Sequence, residues 1–243
     1  MNNKYIFLKP TFFNALWGDG SILKKYNVDK YIPEETDRNT IAGLGAFSGL
    51  SSDANEILNG DYKGKKLNEL YDEHPELFGT PSTLKWEHIP VSMGIGYACS
   101  DLSIQVHPTE NYALKELNCH GKSESWYIVD CPHNSNIVMG HNAKTMKELE
   151  DYIDKKDWEG LLKRYPIMPG SFYNIQAGTL HAIQKGTMFM EVCNPCPVTY
   201  RFYDYDRLDR DGKKRQLDIE RAKENILIPF VCQNTYYRYR NDK

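Results

Sequence analysis

Pro169-Gly170-Ser171-Phe172-Tyr173-Asn174-Ile175-Gln176-Ala177-Gly178-Thr179-Leu180-His181-Ala182-Ile183 is the stretch on which the fold is decided. Aromatic and branched residues on either side of Gln-Ala-Gly read as two short strands joined by a tight turn. The second strand opens with an inward-facing imidazole, His181. Outward from this point the same texture continues. Gly, Pro, Asn and Asp recur roughly every 10–20 residues, the spacing of strands and turns rather than of a helical bundle, and 17 Tyr and 9 Phe fill the intervals. Strands are expected at Pro90–Ala98, Leu102–His107, Glu124–Cys131, Ser135–Met139, Gly170–Gln176, Leu180–Gln184, Met188–Val192 and Thr199–Tyr205. So many short strands predict a sandwich or small barrel. Helices are expected at its ends or flanks, at about 65–78 (with Pro75 breaking it), 145–164 (Thr145 as N-cap, Glu148 three residues on) and 217–226.

Composition narrows the function. Thirty Lys+Arg against 33 Asp+Glu leave a net charge of −3, without the basic footprint of a nucleic-acid or polybasic membrane binder. The chain's 243 residues, 40% hydrophobic and 26% charged, are enough for a substantial core. Apolar runs fall well short of the ~18 residues of a membrane helix, and no signal peptide is visible. Six cysteines are too few for a disulfide scaffold of this size, so the expected compartment is the cytoplasm. Cys193-Asn-Pro-Cys196 has the spacing of a redox or zinc pair, but no second pair accompanies it and it reads as packing. Tyr236-Tyr237-Arg238-Tyr239-Arg240 interleaves aromatics with base, as single-strand binders do. In this acidic chain it reads as a tail or a dimer contact. No internal repeat, Gly-rich phosphate loop or serine-nucleophile motif appears.

The chemistry-bearing residues sit on the strands. Gln105 and His107 share one strand face, about 6–7 Å apart. Alone, such a pair is more often a structural or solvated strand end than a site. Glu124 shares a face with Trp126 and Ile128, so its carboxylate points into an apolar interior. A buried charge without a partner costs several kcal/mol and calls for a cation; the alternative is a solvated strand start with Glu124 paired to Lys122. The turn before His181 resembles the second cupin motif, Pro-x-Gly-x-x-His, with Gln176 in the proline position. Together Gln105, His107, Glu124 and His181 form a mixed nitrogen and oxygen set. One zinc ion suits it, with manganese or ferrous iron as alternatives.

The motifs Leu102-Ser-Ile-Gln-Val-His-Pro108, Gly121-Lys-Ser-Glu-Ser-Trp-Tyr-Ile128, Ala177-Gly-Thr-Leu-His-Ala-Ile183 and Thr199-Tyr-Arg-Phe-Tyr-Asp-Tyr-Asp-Arg207 carry a more specific likeness. With Phe7-Leu-Lys-Pro10, Leu16-Trp-Gly18, Gly140-His141 and Asp157-Trp-Glu-Gly160 they resemble type I mannose-6-phosphate isomerase (phosphomannose isomerase), from about residue 5 to 226. The resemblance implies a mainly β fold, the cupin double-stranded β-barrel (jelly roll) with flanking α-helices, as a single catalytic domain over 1–243. The second C-terminal β domain of longer family members would be absent. It implies zinc on Gln105, His107, Glu124 and His181, with Arg201 and Lys122 as catalytic residues. The implied reaction interconverts mannose 6-phosphate and fructose 6-phosphate through a cis-enediol. A small sugar phosphate would be the partner, with no nucleic acid or membrane, in a monomer or homodimer. Without the family, Lys122 would pair with Glu124, and Arg201 with Asp204 or Asp206.

Three positions depart from the family pattern. A phosphate-side lysine falls on Gly94, an acid four residues before the active-site arginine falls on Pro197, and a Gly-Glu-x-Trp segment falls on Ile41-Ala-Gly-Leu-Gly-Ala-Phe47. A lost charge-assisted contact is worth on the order of 1.5–3 kcal/mol, enough to change the preferred substrate. The alternatives are therefore the same chemistry on a different sugar, or a non-catalytic sugar-binding cupin.

Overall fold

A computed structural model describes residues 5–50, 52–79 and 88–232; the segment Tyr236–Arg240 lies outside these. In chain order the elements are β1 (Thr11–Asn14), β2 (Ile41–Phe47), α1 (Leu67–Glu73), β3 (Ser92–Tyr97) and β4 (Ile104–Val106). Next come α2 (Glu110–Tyr112, continued by a π-helical turn Ala113–Leu117), β5 (Glu124–Asp130), β6 (Asn136–His141), α3 (Met146–Lys155) and α4 (Trp158–Leu161). The chain then forms β7 (Leu162–Pro166), β8 (Phe172–Ile175), β9 (His181–Ile183), β10 (Met188–Cys193), β11 (Tyr200–Tyr203) and α5 (Ile219–Lys223). They fall into two compact units, one reaching Tyr97 and taking in 190–195, the other built from Ala98–Phe189 and the residues from Cys196 on.

In the first unit β1, β2 and β3 pair antiparallel in sequence order. Phe13 lies opposite Gly43, and a Cβ on Gly43 would stand 2.1 Å from the ring's Cζ; only glycine lets the phenyl ring cover that strand. Leu67, Tyr71 and Ile89 are buried against Leu8, Phe47, Phe78 and Val91. The expected helix 65–78 is two pieces, α1 and a 3-10 turn at Pro75–Phe78, because proline cannot continue the hydrogen-bond ladder.

The second unit carries a five-stranded antiparallel sheet, ordered β11-β4-β9-β6-β7, and the antiparallel pair β5–β8. The period-2 pattern of β5 holds from its start to Ile128: Glu124, Trp126 and Ile128 are buried, Ser125 is half-buried and Tyr127 faces out, and only the last residue, Asp130, is exposed on the inner face's register. Helix α3 starts at Thr145, whose hydroxyl accepts from Glu148 N at 3.2 Å, while Glu148 Oε2 accepts from Lys144 N at 2.8 Å. The expected helix 145–164 runs too far. Lys156 turns left-handed (φ 54°), Asp157 caps the short α4, and Leu162–Pro166 pairs with β6 as a strand. Sheet pairing overrides local helical periodicity there. Among the described residues no helix is long and apolar enough to cross a membrane.

Candidate metal centre

The decisive stretch does not close a hairpin. The turn Gln176–Thr179 (Thr179 N to Gln176 O, 3.0 Å) carries the chain from β8, paired with β5, to β9, which pairs with β4 and β6. Gly178 holds φ +84°, and a Cβ there would lie 2.6 Å from Asn225 O, so both the type II turn and the space demand glycine. Gly178 N donates to His107 O at 3.0 Å. The turn before one imidazole is thus bonded to the backbone of the other.

The cross-strand register does the rest. Gln105 on β4 lies opposite both Arg201 on β11 and His181 on β9, and His181 lies opposite Met139 on β6. Directly opposed residues share a sheet face, so Arg201, Gln105 and His181 form one row. His107, just past the end of β4, and Glu124, the first residue of β5, meet His181 there: their ligand atoms all lie within 4.8 Å of one another, and all three residues are buried.

Polar contacts from behind fix the imidazoles. His181 Nδ1 donates to Thr179 O at 2.8 Å, and His107 Nδ1 to Val198 O at 3.2 Å, with Thr199 Oγ1 at 3.3 Å. Both rings therefore aim an unprotonated Nε2 inward. His107 Nε2 stands 3.1 Å from Glu124 Oε2, and His181 Nε2 stands 3.3 Å from Glu124 Oε1. Gln105 Nε2 is 3.3 Å from His181 Nε2; a metal would take the oxygen end of that amide. Trp126 meets the His181 ring edge-on at 5.5 Å and walls the cluster on one side.

The electrostatics agree. Burial alone would raise the Glu124 carboxyl, but Lys122 and the two imidazoles outweigh it and hold the group below the usual carboxylate range. Burial pushes His181 down to about 4 against the opposing pull of Glu124, which keeps its ring neutral. His107 Nε2 and both Glu124 oxygens are buried without a hydrogen bond, a costly arrangement for polar atoms facing one another. A divalent cation among them removes that cost. Tetrahedral zinc with bonds of about 2.0–2.1 Å sets ligand atoms about 3.3 Å apart, close to the 3.1 and 3.3 Å found here. The residues present fit a metal ion.

Both residues expected beside the metal are near this cluster. Lys122 Nζ lies 3.3 Å from Glu124 Oε2, so the ion pair weighed as the alternative does exist, but in a buried setting. Arg201 is not hydrogen-bonded to either aspartate suggested for it. Asp204 is taken by Arg207 and Arg215, and Asp206 by Lys214. Instead Arg201 Nη1 donates to Gln216 O at 3.0 Å, and its backbone N donates to Asp218 Oδ2 at 3.1 Å. The segment after β11 folds back as a strap over this arginine. Sequence reasoning missed that strap, and it missed Asn225. Asn225 is 2% exposed and its Oδ1 accepts from Thr109 N at 2.9 Å, with no local periodicity to announce a contact between residues 116 positions apart.

A mainly β fold with a His–Glu–His cluster able to hold a metal ion is that of the cupins. Within them the chain belongs to the type I phosphomannose isomerases: the family's catalytic-domain model matches residues 6–147. Mannose-6-phosphate isomerase ManA of Bacillus subtilis is 38% identical over 232 residues, 95% of this chain and 70% of that protein. The mannose-6-phosphate isomerase of Streptococcus mutans is 38% identical over 223 residues, 92% of this chain and 68% of that one. The crystal structure of the Bacillus subtilis mannose 6-phosphate isomerase superposes with a TM-score of 0.85 at 37% identity, covering 94% of this chain and 70% of that one. Phosphomannose isomerase variants from Salmonella typhimurium, at 13% identity and TM-score 0.64, share the fold.

Proposed function

We propose that this chain is a metal-dependent mannose-6-phosphate isomerase with one zinc ion on Gln105, His107, Glu124 and His181. The observation that carries the reading is the meeting of two Nε2 atoms and the Glu124 carboxylate, whose buried oxygens accept no hydrogen bond, in one buried cluster, in a chain of this family. Zinc, when bound, supplies Lewis-acid polarisation of the neighbouring sugar oxygens. The chain's own groups do the remainder. Arg201, in the row with Gln105 and His181, is about two strand spacings (about 9–10 Å of backbone) from His181, within reach of a long side chain. Its guanidinium stabilises negative charge as a proton moves between C2 and C1 through a cis-enediol. Lys122, whose Nζ lies 3.3 Å from Glu124 Oε2, carries that proton in this reading. Buried Trp126 keeps water from one side of the cluster. The cytoplasm is the compartment of this reading, as suits a metabolic sugar-phosphate isomerase.

A second reading, the same chemistry on another sugar phosphate, is favoured by Gly94 and Pro197. Gly94 lies opposite Gly45 and offers no cation, and Pro197 offers no proton donor. The test is sugar-phosphate isomerisation followed by NMR in D₂O, with zinc-loaded and chelated protein side by side. Zinc-dependent deuterium at C1 or C2 of the hexose 6-phosphates supports the first reading. Exchange on another aldose phosphate alone selects the second, and zinc binding without exchange on any of them refutes both.

A further inference from the structure

Two thiols outside the catalytic set lie against each other beside this centre. Cys119 Sγ and Cys196 Sγ are 3.8 Å apart, although the residues are separated by 77 positions. Cys119 follows left-handed Asn118 at the end of the π-helical turn, and its N–H is bonded to Ala113 O. It is half-buried, whereas Cys196 is 7% exposed. A disulfide has an S–S length of about 2.05 Å. Closing the gap therefore takes an approach of about 1.8 Å, within the reach of a side-chain rotation at either cysteine.

What the sulfurs are attached to gives the contact its consequence. Cys196 leads through Pro197 to Val198 and Thr199, whose carbonyl and hydroxyl face His107 Nδ1. Proline fixes its own φ and restrains its neighbour, so a pull on Cys196 passes to Val198 rather than dissipating. Cys119 lies three residues before Lys122, whose N–H is bonded to Pro108 O next to His107. A cross-link would tie the segment behind the His107 ring to the segment that leads into Lys122 and Glu124.

We propose that Cys119 and Cys196 are an oxidation site: peroxide closes a reversible disulfide between them that disturbs the support of His107 and weakens metal binding at the centre. The step balances. Half-buried Cys119, as thiolate, attacks one peroxide oxygen and becomes a sulfenic acid while hydroxide leaves and is protonated to water. Cys196 then attacks that sulfur and displaces a second water. Two thiols lose two electrons, and one peroxide becomes two waters. Burial and the adjacent Cys196 sulfur push the Cys119 thiol up to about 11, so the thiolate is scarce near neutral pH and the first step is slow there and faster at alkaline pH.

The coupling to the metal rests on the centre proposed above; the cross-link does not. The zinc-loaded 243-residue chain is treated with hydrogen peroxide, alkylated and digested with trypsin. The expected product joins peptide 116–122 to peptide 186–201. It persists in Cys193→Ser, whose sulfur lies on the same peptide, and disappears in Cys119→Ser and Cys196→Ser. Zinc affinity, read by competition with a chromogenic chelator, should fall ten- to a hundredfold on oxidation, the usual effect of disturbing a ligand's hydrogen-bond partner. It should return with dithiothreitol and stay constant in the two variants. Absence of the cross-linked peptide overturns the proposal. So does a cross-link with unchanged zinc affinity, or an affinity loss that survives in Cys119→Ser. A reduced protein that binds no zinc refutes the metal centre and this coupling with it, while the cross-link is still read by mass.

Discussion

Replacing Asn225 by alanine should loosen the metal centre from a distance. Asn225 Oδ1 accepts from Thr109 N at 2.9 Å and faces Thr109 Oγ1 at 3.4 Å, and its Nδ2 donates to Arg221 O at 3.0 Å. Two residues on, Leu227 N donates to Gly178 O, and Gly178 N donates to His107 O. The C-terminal end of α5 is therefore pinned to both turns that carry imidazoles. Truncation leaves the Thr109 N–H without its acceptor, at about 1–3 kcal/mol, and removes a second bond worth about 0.5–1.5 kcal/mol. A total near 3 kcal/mol lowers Tm by about 6–12 °C for a chain of this size. Because Thr109 follows His107 by two residues, zinc affinity should also weaken by about tenfold or more. Thermal unfolding in chelator separates the first effect from the second, which is read by chelator competition. Asn225→Asp keeps the acceptor for Thr109 and loses the donor to Arg221, so its zinc affinity should stay close to that of the parent. A Tm within about 2 °C of the parent together with unaltered zinc affinity for Asn225→Ala would refute the reasoning.

Two further outcomes follow from the same geometry. His181→Ala and Glu124→Ala should lose bound metal and turnover together, whereas Arg201→Ala should retain the metal and lose turnover; metal analysis beside an isomerase assay checks this, and an undiminished Arg201→Ala rate would overturn the role given to the guanidinium. Stability should also fall in acid through Asp204. Burial would raise its carboxyl, but hydrogen bonds from Arg215 and Arg207 prevail and depress it, so the unfolded chain binds the proton more readily than the folded one. That contribution is complete above the ordinary carboxylate range near pH 4 and is lost as pH falls through the depressed value. Urea midpoints from pH 6 to pH 3 should decline less steeply in Asp204→Asn than in the parent, and parallel slopes would count against the assignment.

The strands of the second unit were legible where side chains alternate cleanly, as on β5 with Glu124, Trp126 and Ile128 inside. Strand β2 was not, because Ile41-Ala-Gly-Leu-Gly-Ala-Phe47 has glycine where a strand-former would signal a sheet. Its pairing is set by Phe13 covering Gly43, a contact no short window contains. Strand β7 was hidden for the opposite reason: Leu161 and Leu162 continue the apolar spacing of α3, and only pairing with β6 converts the run to a strand. In the site, the motifs pointed to Gln105, His107, Glu124 and His181 because each ligand type sits inside a recognisable local pattern. Arg201's strap and the Asn225 clamp lack such patterns. They depend on where residues 216–225 return in space.

What orients the imidazoles also explains how a departure from the expected family pattern at Pro197 can leave the candidate metal centre in place. The acceptors behind the two rings are main-chain carbonyls, Thr179 O for His181 and Val198 O for His107, and a carbonyl is present whatever side chain the residue bears. Substitution near them leaves the tautomers intact as long as the backbone path holds, and Pro197 stiffens that path. The acid that this chain lacks at Pro197 would have acted on the sugar, not on the ligand set. In the reading proposed above, a change at Pro197 falls on substrate handling, and Cys196 of the Cys119–Cys196 contact is its chain neighbour. The two imidazoles of the candidate metal cluster are thus held by backbone acceptors, which a side-chain substitution beside them leaves in place.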